Sequence, residues 1–238
     1  MKNNKTITRK VVFVIFLMLS SSSALATIME LQPGLIEAKD AQIVNDNGTK
    51  ANSNYQSPYL ITNWTNNYRS IGLIQFDLGD IPNDVEIVSA SLSLFHHSNS
   101  SLNSQYDLFR VTSDWDELGV TFNTAPTHEA IASASMVISD ISTRVFRSWD
   151  ITSLVSGWIS GAFENYGMWI EEAPIQGSAT AQFFSSDNGP FGHSSQRPKL
   201  TIEYATVPEP NTLLLFMACF LGLTILNFSS AKKRKMIL

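Results

Sequence analysis

The segment Asn63-Trp64-Thr65-Asn66-Asn67-Tyr68-Arg69 sets two aromatic rings among hydrogen-bonding side chains. Neutral sugars are held by stacking their C–H faces on such rings, with polar groups fixing the edges. Trp64, Asn66 and Tyr68 are therefore glycan-binding candidates, in what the pattern reads as a turn before a core strand. The alternative is that Trp64 packs against the edge of the fold. A second chemistry is cation binding. Asp40 and the Asp46-Asn47-Gly48 turn offer oxygen ligands for Ca²⁺, but no EF-hand spacing is present and solvated loop acids are the plainer reading. Acid–base hydrolysis needs two carboxylates flanking a cleft. Asp114, Asp116 and Glu117 adjoin on one loop and do not make such a pair, so Glu117 reads as a partner for a backbone or Arg group. No G-x-S-x-G, H-E-x-x-H or phosphate loop occurs. His96 and His97 alternate across one strand, and His128 and His193 stand apart in loops. A hydrolase or lyase would need a concave acidic cleft with a perturbed carboxylate.

The elements that must position these residues are short strands. Val88, Ala90, Leu92 and Leu94 alternate with serines, and Leu200, Ile202 and Tyr204 alternate with polar residues, the period of half-buried strands. Ile74, Phe76 and Leu78 share one strand face, and further β-rich runs span 106–112, 145–150, 166–170 and 179–184. Turn chemistry at 79–84 and 186–190 separates them, and 96–105 reads as a polar connection. Only 150–161 is helical: Leu154, Val155, Trp158 and Ile159 form a stripe, with Asp150 or Thr152 to cap its start and Gly161 just past its end. Many short strands with one short helix indicate an all-β, jelly-roll β-sandwich in a single domain, residues 27–206. Trp115, Trp149 and Trp158 read as packing residues, and Trp169 lies on the strand face opposite Met168 and Ile170.

The 238 residues carry a net charge of −5, unevenly spread. Of the 16 basic residues, 8 lie in the first ten residues and in 232–235, so residues 27–206 hold 8 basic and 20 acidic residues, a net −12. Phosphate contacts need clustered Lys and Arg, so nucleic acid is excluded as a partner. An anionic polysaccharide would need Ca²⁺ bridging, whereas a neutral one would bind with little sensitivity to salt. The single cysteine, Cys219, rules out an intrachain disulfide and cysteine-based zinc sites.

Both ends read as addresses. A basic start, the apolar run 11–19 and Ala24-Leu25-Ala26 have the layout of a signal peptide, residues 1–26. Val207-Pro208-Glu209-Pro210 precedes an uncharged apolar run, 211–228, long enough to span a bilayer as a helix, and then Lys232-Lys233-Arg234-Lys235. This order resembles the PEP-CTERM sorting signal of Gram-negative bacteria. The resemblance implies recognition of 207–238 by an exosortase-type membrane enzyme, an inner-membrane precursor, and delivery to the outer envelope, cell surface or extracellular matrix.

An ordered series across 38–204 resembles the DNRLRE domain family, which overlaps carbohydrate-binding module family 96. The series runs through Asp40-Ala41-Gln42-Ile43, Asn54-Tyr55, Phe76-Asp77-Leu78, Trp115-Asp116-Glu117 to Thr121-Phe122, and Pro126. It continues with Trp149-Asp150-Ile151-Thr152 and Trp158, Asn165-Tyr166-Gly167, Phe184-Ser185-Ser186-Asp187 and Arg197-Pro198. Gln56, Phe122 and Asp187 stand where the pattern has Gly, Trp and Glu. The resemblance implies a jelly-roll sandwich without a catalytic site, found beside polysaccharide-active proteins. The expectation is an exported, non-catalytic protein that binds or scaffolds extracellular polysaccharide. The alternative is a purely structural surface protein held by protein–protein contacts, favoured if Trp64 is buried.

Overall fold

Period-two apolar patterning drives this chain into strands, and every strand pair is antiparallel. The computed structural model describes residues 26–34, 38–99, 103–139, 144–174, 180–187 and 193–207, with Phe220. The strands are β1 (Ala26–Leu31), β2 (Ala38–Asp46), β3 (Tyr59–Trp64), β4 (Tyr68–Phe76), β5 (Val85–Asn99), β6 (Ser104–Arg110), β7 (Ala134–Ile138), β8 (Val145–Asp150), β9 (Met168–Glu172), β10 (Thr180–Phe184) and β11 (Lys199–Thr206), and helix α1 spans Thr152–Ile159. The expected signal peptide, apart from Ala26, and the expected sorting tail, apart from Val207 and Phe220, lie outside the described residues. Among the described residues no helix is long and apolar enough to cross a membrane.

The strands form one curled antiparallel sheet in the order β1-β11-β5-β10-β3-β4-β9-β6-β7, with β2 also on β4 and β8 also on β5. Strand β5 organises one side. Its residues 91–96 pair with β8, while 85–93 pair with β11 and 96–99 with β10. The overlaps require β10 and β11 to lie end to end along the edge opposite β8. The curl closes around a large core that gathers Leu60, Ile74, Leu92, Leu94, Tyr106, Leu108, Trp149, Ile170, Phe183 and Ile202 from strands all around it.

A second core lies on the other face of β4, β6 and β9. Ile71, Leu73, Phe109 and Trp169 meet Ala41 and Ile43 of β2, and the 111–132 segment covers them with Val111, Trp115 and Val120. The middle of the sheet is thus buried on both faces. Gly167 leads into β9 with φ +84, and a Cβ there would sit 2.3 Å from the carbonyl oxygen of Ile74. Only glycine allows both that conformation and that approach. Helix α1 seals the large core with its apolar stripe. Asp150 Oδ1 accepts the N–H and hydroxyl of Thr152 (2.9 and 2.6 Å), and Thr152 Oγ1 accepts the Ala90 N–H at 2.9 Å. Residues Ala26–Thr206 make one compact unit.

Three sequence expectations are corrected. Val88 is exposed rather than inward, because β5 carries an extra residue there: Glu203 pairs with Ser89 and Tyr204 with Ile87. The bulge switches the inward set from Val85 and Ile87 to Ala90, Leu92 and Leu94. Residues 96–99 are strand rather than polar connection, since pairing with β10 extends β5 and His96 is buried against Phe183 at 5.5 Å. The segment 63–69 is not all turn: Trp64 ends β3, Tyr68 begins β4, and 65–67 alone connect them. In addition, β1, β3 and β7 are strands the pattern did not signal. The large core turns on Phe183, fully buried and edge-on to Tyr106 and Trp149. Phe183→Ala is expected to cost about 3–5 kcal/mol, read from urea unfolding of the purified protein.

Candidate functional site

Two turns side by side build a polar groove. At the end of β2, Asn47 and Gly48 take positive φ (47° and 86°), and the Gly48 N–H donates to Asn45 Oδ1 at 2.7 Å. Asn and Gly are the residues that accept this conformation. In the β3–β4 hairpin the Thr65 N–H donates to the Tyr68 carbonyl (2.8 Å), and the Tyr68 N–H to Thr65 Oγ1 (2.9 Å). The Asn47 N–H donates to the Asn67 carbonyl at 2.7 Å and locks the two turns together.

The groove between them has a volume of about 560 Å³ and is lined by Trp64, Asn66, Tyr68, Asn45, Asn47 and Phe122, among others. The structure therefore brings the three glycan candidates of the sequence onto one surface. Trp64 and Tyr68 are half-buried and Asn66 is exposed. Trp64 is thus neither the open platform of the binding expectation nor the buried ring of the structural one. The Arg69 guanidinium lies 4.3 Å from the Trp64 ring centroid. Its Nε donates to Glu171 Oε2 at 3.1 Å, and Glu172 Oε2 accepts the backbone N–H of Trp64 at 2.9 Å. Both glutamates are buried on β9. The groove floor is fixed by charge-assisted bonds, which hold the indole in one position.

Sequence reasoning missed Phe122, Asn45 and the Arg69–Glu171 clamp, and it read Asn47 as part of a cation turn rather than of this groove. Phe122 had a signal, its place in the family pattern, which reads there as a conservative replacement of Trp. The clamp joins residues about a hundred positions apart and had none. His128 does not stand apart either: its ring packs 4.4 Å from that of Trp169, which is buried in the second core.

The Ca²⁺ candidates do not meet. Asp40 and Asp46 sit six residues apart on β2, about 20 Å along a strand. Asp46 pairs with Lys50 at 3.1 Å. Asp40 is buried, and its Oδ2 accepts the Ser186 N–H at 2.6 Å. Burial pushes its carboxyl up to about 7, opposed by the Ser186 bonds and aided by nearby Asp187 and Glu117. Among the described residues no group of three or more His, Cys, Asp or Glu is placed to hold a metal ion.

A larger concavity, about 880 Å³, carries Asp77, Asp114, Asp116, Glu117 and Glu164. Burial raises the Glu117 carboxyl, while the Lys39 ammonium and the Trp115 N–H hold Asp114 low. Several of these acids are engaged in holding loops. Glu117 Oε1 accepts the Asp40 N–H (2.9 Å), Asp114 Oδ1 accepts from Trp115 (2.8 Å) and Lys39 (3.1 Å), and Asp77 Oδ1 accepts the Gly79 N–H (2.9 Å). Glu117 is thus the backbone partner its position suggested.

A family model described as carbohydrate-binding module family 96 matches residues 34–204. No curated protein matches the chain.

Asp40 gives a signed pH dependence. Its folded-state pKa, about 7, lies above the ordinary 3.8, so the folded protein keeps a proton that the unfolded chain releases. The associated stability is full below pH 4 and is lost as the pH rises to about 7. Asp40→Asn keeps an acceptor for Ser186 and is expected to flatten that loss, on the order of 4 kcal/mol between pH 4 and 8. Thermal melts of the two proteins across pH check it.

Proposed function

Because the chain belongs to carbohydrate-binding module family 96, we propose that it is a non-catalytic polysaccharide-binding protein whose glycan site is the groove of Trp64, Asn66 and Tyr68. The observation that carries this reading is the convergence of two aromatic rings, a third from Phe122 and several asparagine amides on one fixed surface. Arg69 covers one face of the indole; a sugar ring takes the other, with the amides meeting its hydroxyls. Among the described residues no carboxylate lines the groove, and the Arg69 charge is balanced by Glu171, which suits a neutral sugar. The Arg69 clamp on Trp64 is also the observation that favours the alternative, a purely structural surface protein.

The enclosed core, with β5, β10 and β11 on one side and β4, β9 and β6 on the other, supports a jelly-roll β-sandwich. The order of features at the two ends supports export through residues 1–26 and exosortase-type sorting through 207–238, to the envelope or extracellular matrix of a Gram-negative bacterium. On this reading the glycan-binding domain works where extracellular polysaccharide is assembled.

Trp64→Ala is expected to weaken binding to the neutral glycan found on an array at least tenfold while leaving the melting temperature within a few degrees. Binding of the parent protein should be unchanged by EDTA and by 0.5 M NaCl. If Trp64→Ala binds as tightly as the parent, the groove is not the site. For the tail, intact-mass measurement in an exosortase-bearing host should show loss of the segment beyond the Pro-Glu-Pro motif. Glu209→Ala should retain it.

A further inference from the structure

The strand order starts at β1, whose strand partner among the described residues is β11 alone. The outer edge of β1 therefore presents a row of backbone N–H and C=O groups, and among the described residues no turn or loop bonds them through its own backbone. Such groups bond to water or to another strand. Natural edges are blunted by Pro, by Lys or by a bulge. β1 has none of the three, and its register on β11 is unbroken from Ala26 to Leu31. β5, by contrast, bulges at Val88 and again at His97, where Gln182 pairs with Ser98 and Phe183 with His96.

The side chains along this edge suit a second strand. Ile28 is exposed, and Met29 and Leu31 are half-buried at the rim of the large core. The 27–206 region carries a net −12, yet the one charged residue of β1, Glu30, is paired with Lys199 at 3.2 Å. Like-charge repulsion is thus low at this edge. The strand also has a defined end. Gln32 Nε2 donates to the carbonyls of Ser195 (3.1 Å) and Arg197 (3.0 Å), and Pro33 has no N–H with which to extend a ladder.

Beside that end lies a hollow of about 480 Å³, lined by Glu30, Leu31, Phe76, Asp77 and Asp80 among others. Among the described residues no Lys, Arg or His lines it. Asp77 and Asp80 are exposed and form no ion pair among the described residues. On the export reading, cleavage after Ala26 makes Thr27 the first residue, with a free ammonium. Antiparallel pairing of β1 with β1 of a second copy, about a two-fold axis at Met29, sets Thr27 opposite Leu31 and Ile28 opposite Glu30. Every residue from Thr27 to Leu31 is then paired, and the ladder stops at Gln32 in both copies. Each ammonium comes to rest near the other copy's Leu31, whose backbone is roughly 5 Å across the ladder, beside the acidic hollow.

We propose that β1 is a self-association edge: two processed copies join into one continuous sheet through their β1 strands, and the N-terminal ammonium of each docks at the Glu30–Asp77–Asp80 hollow of the other. The interface is isologous, the same patch on both copies. Main-chain bonds supply the affinity, while the register and the charge at each end supply the specificity. The inference rests on the export reading of residues 1–26 and uses no glycan site. An uncut chain still carries those residues where the partner's Gln32 and Pro33 lie, so pairing follows cleavage. A pair of domains presents two copies of any binding surface to one polymer, which raises avidity without a new contact.

The test is sedimentation equilibrium of the full chain as an exporting host processes it, in detergent, with intact mass to fix the first residue. Expected are a first residue of Thr27 and a concentration-dependent monomer–dimer equilibrium. Asp77→Asn together with Asp80→Asn should weaken the dimer about tenfold, as should about 0.5 M NaCl. Asparagine keeps the acceptor that Asp77 offers the Gly79 N–H, so the fold is retained. Inserting Ser-Gly-Ser-Gly after Ala26 carries the ammonium away from the hollow and should weaken the dimer as much. In a Cys219→Ser background, Met29→Cys copies should cross-link under a mild oxidant and Ile28→Cys copies should not, because residue 29 alone faces itself across the axis. A monomer at every concentration, or a dimer that neither the Asp77 and Asp80 substitutions nor the insertion weakens, overturns this inference and leaves the export reading standing. A first residue other than Thr27 overturns both.

Discussion

The two-sided burial of β4 is the constraint from which the rest of the structure follows. Ile74 and Phe76 point into the large core, while Ile71 and Leu73 point the other way into the second. A strand with two apolar faces must be covered twice. One cover is the curl of the sheet itself. The other is the 111–132 segment, which brings Trp115, Val120 and Phe122 across the outer face that β4 shares with its edge partner β2. That cover carries Phe122 to the Trp64 groove and Glu117 to the backbone of Asp40. Coverage of the hydrophobic face and assembly of the groove are one event.

The same arrangement explains where charge is tolerated inside. Glu171 and Glu172 follow the last core residue of β9, at the rim where Arg69 and the Trp64 N–H can meet them. Buried carboxylates are stable only with such partners. Asp40 is at the other end of β2 with one close backbone donor, Ser186, and two acidic neighbours. Its charged form is correspondingly disfavoured. One strand thus ends in a satisfied turn beside the groove and begins at a carboxyl that prefers its proton.

The concavities differ in electrostatic character although they share one fold. The Trp64 groove is amide-lined with a balanced arginine, the Asp114–Glu117 concavity is acidic, and a third concavity is lined by Tyr59, His97, Phe184, His193 and Arg144. A β-scaffold permits this because its loops vary without disturbing the core. Net charge describes the average surface and steers encounters at long range. It says little about a pocket whose own lining departs from that average.

Local chemistry made much of the architecture readable. Alternation of apolar residues marked several strands, the Leu154–Ile159 stripe marked the helix, and the Asn-rich run around Trp64 and Tyr68 marked three residues that do share a groove. These signals survive because each depends on neighbours a few residues away. The faces of Val88 and His97 were not readable, because a bulge is a property of two strands paired in register, and β10 and β11 lie about a hundred residues from β5. The Arg69–Glu171 clamp, the burial of Asp40 and the meeting of His97, His193 and Arg144 were hidden for the same reason. Desolvation and charge pairing depend on distance in space, and only the curled sheet sets those distances.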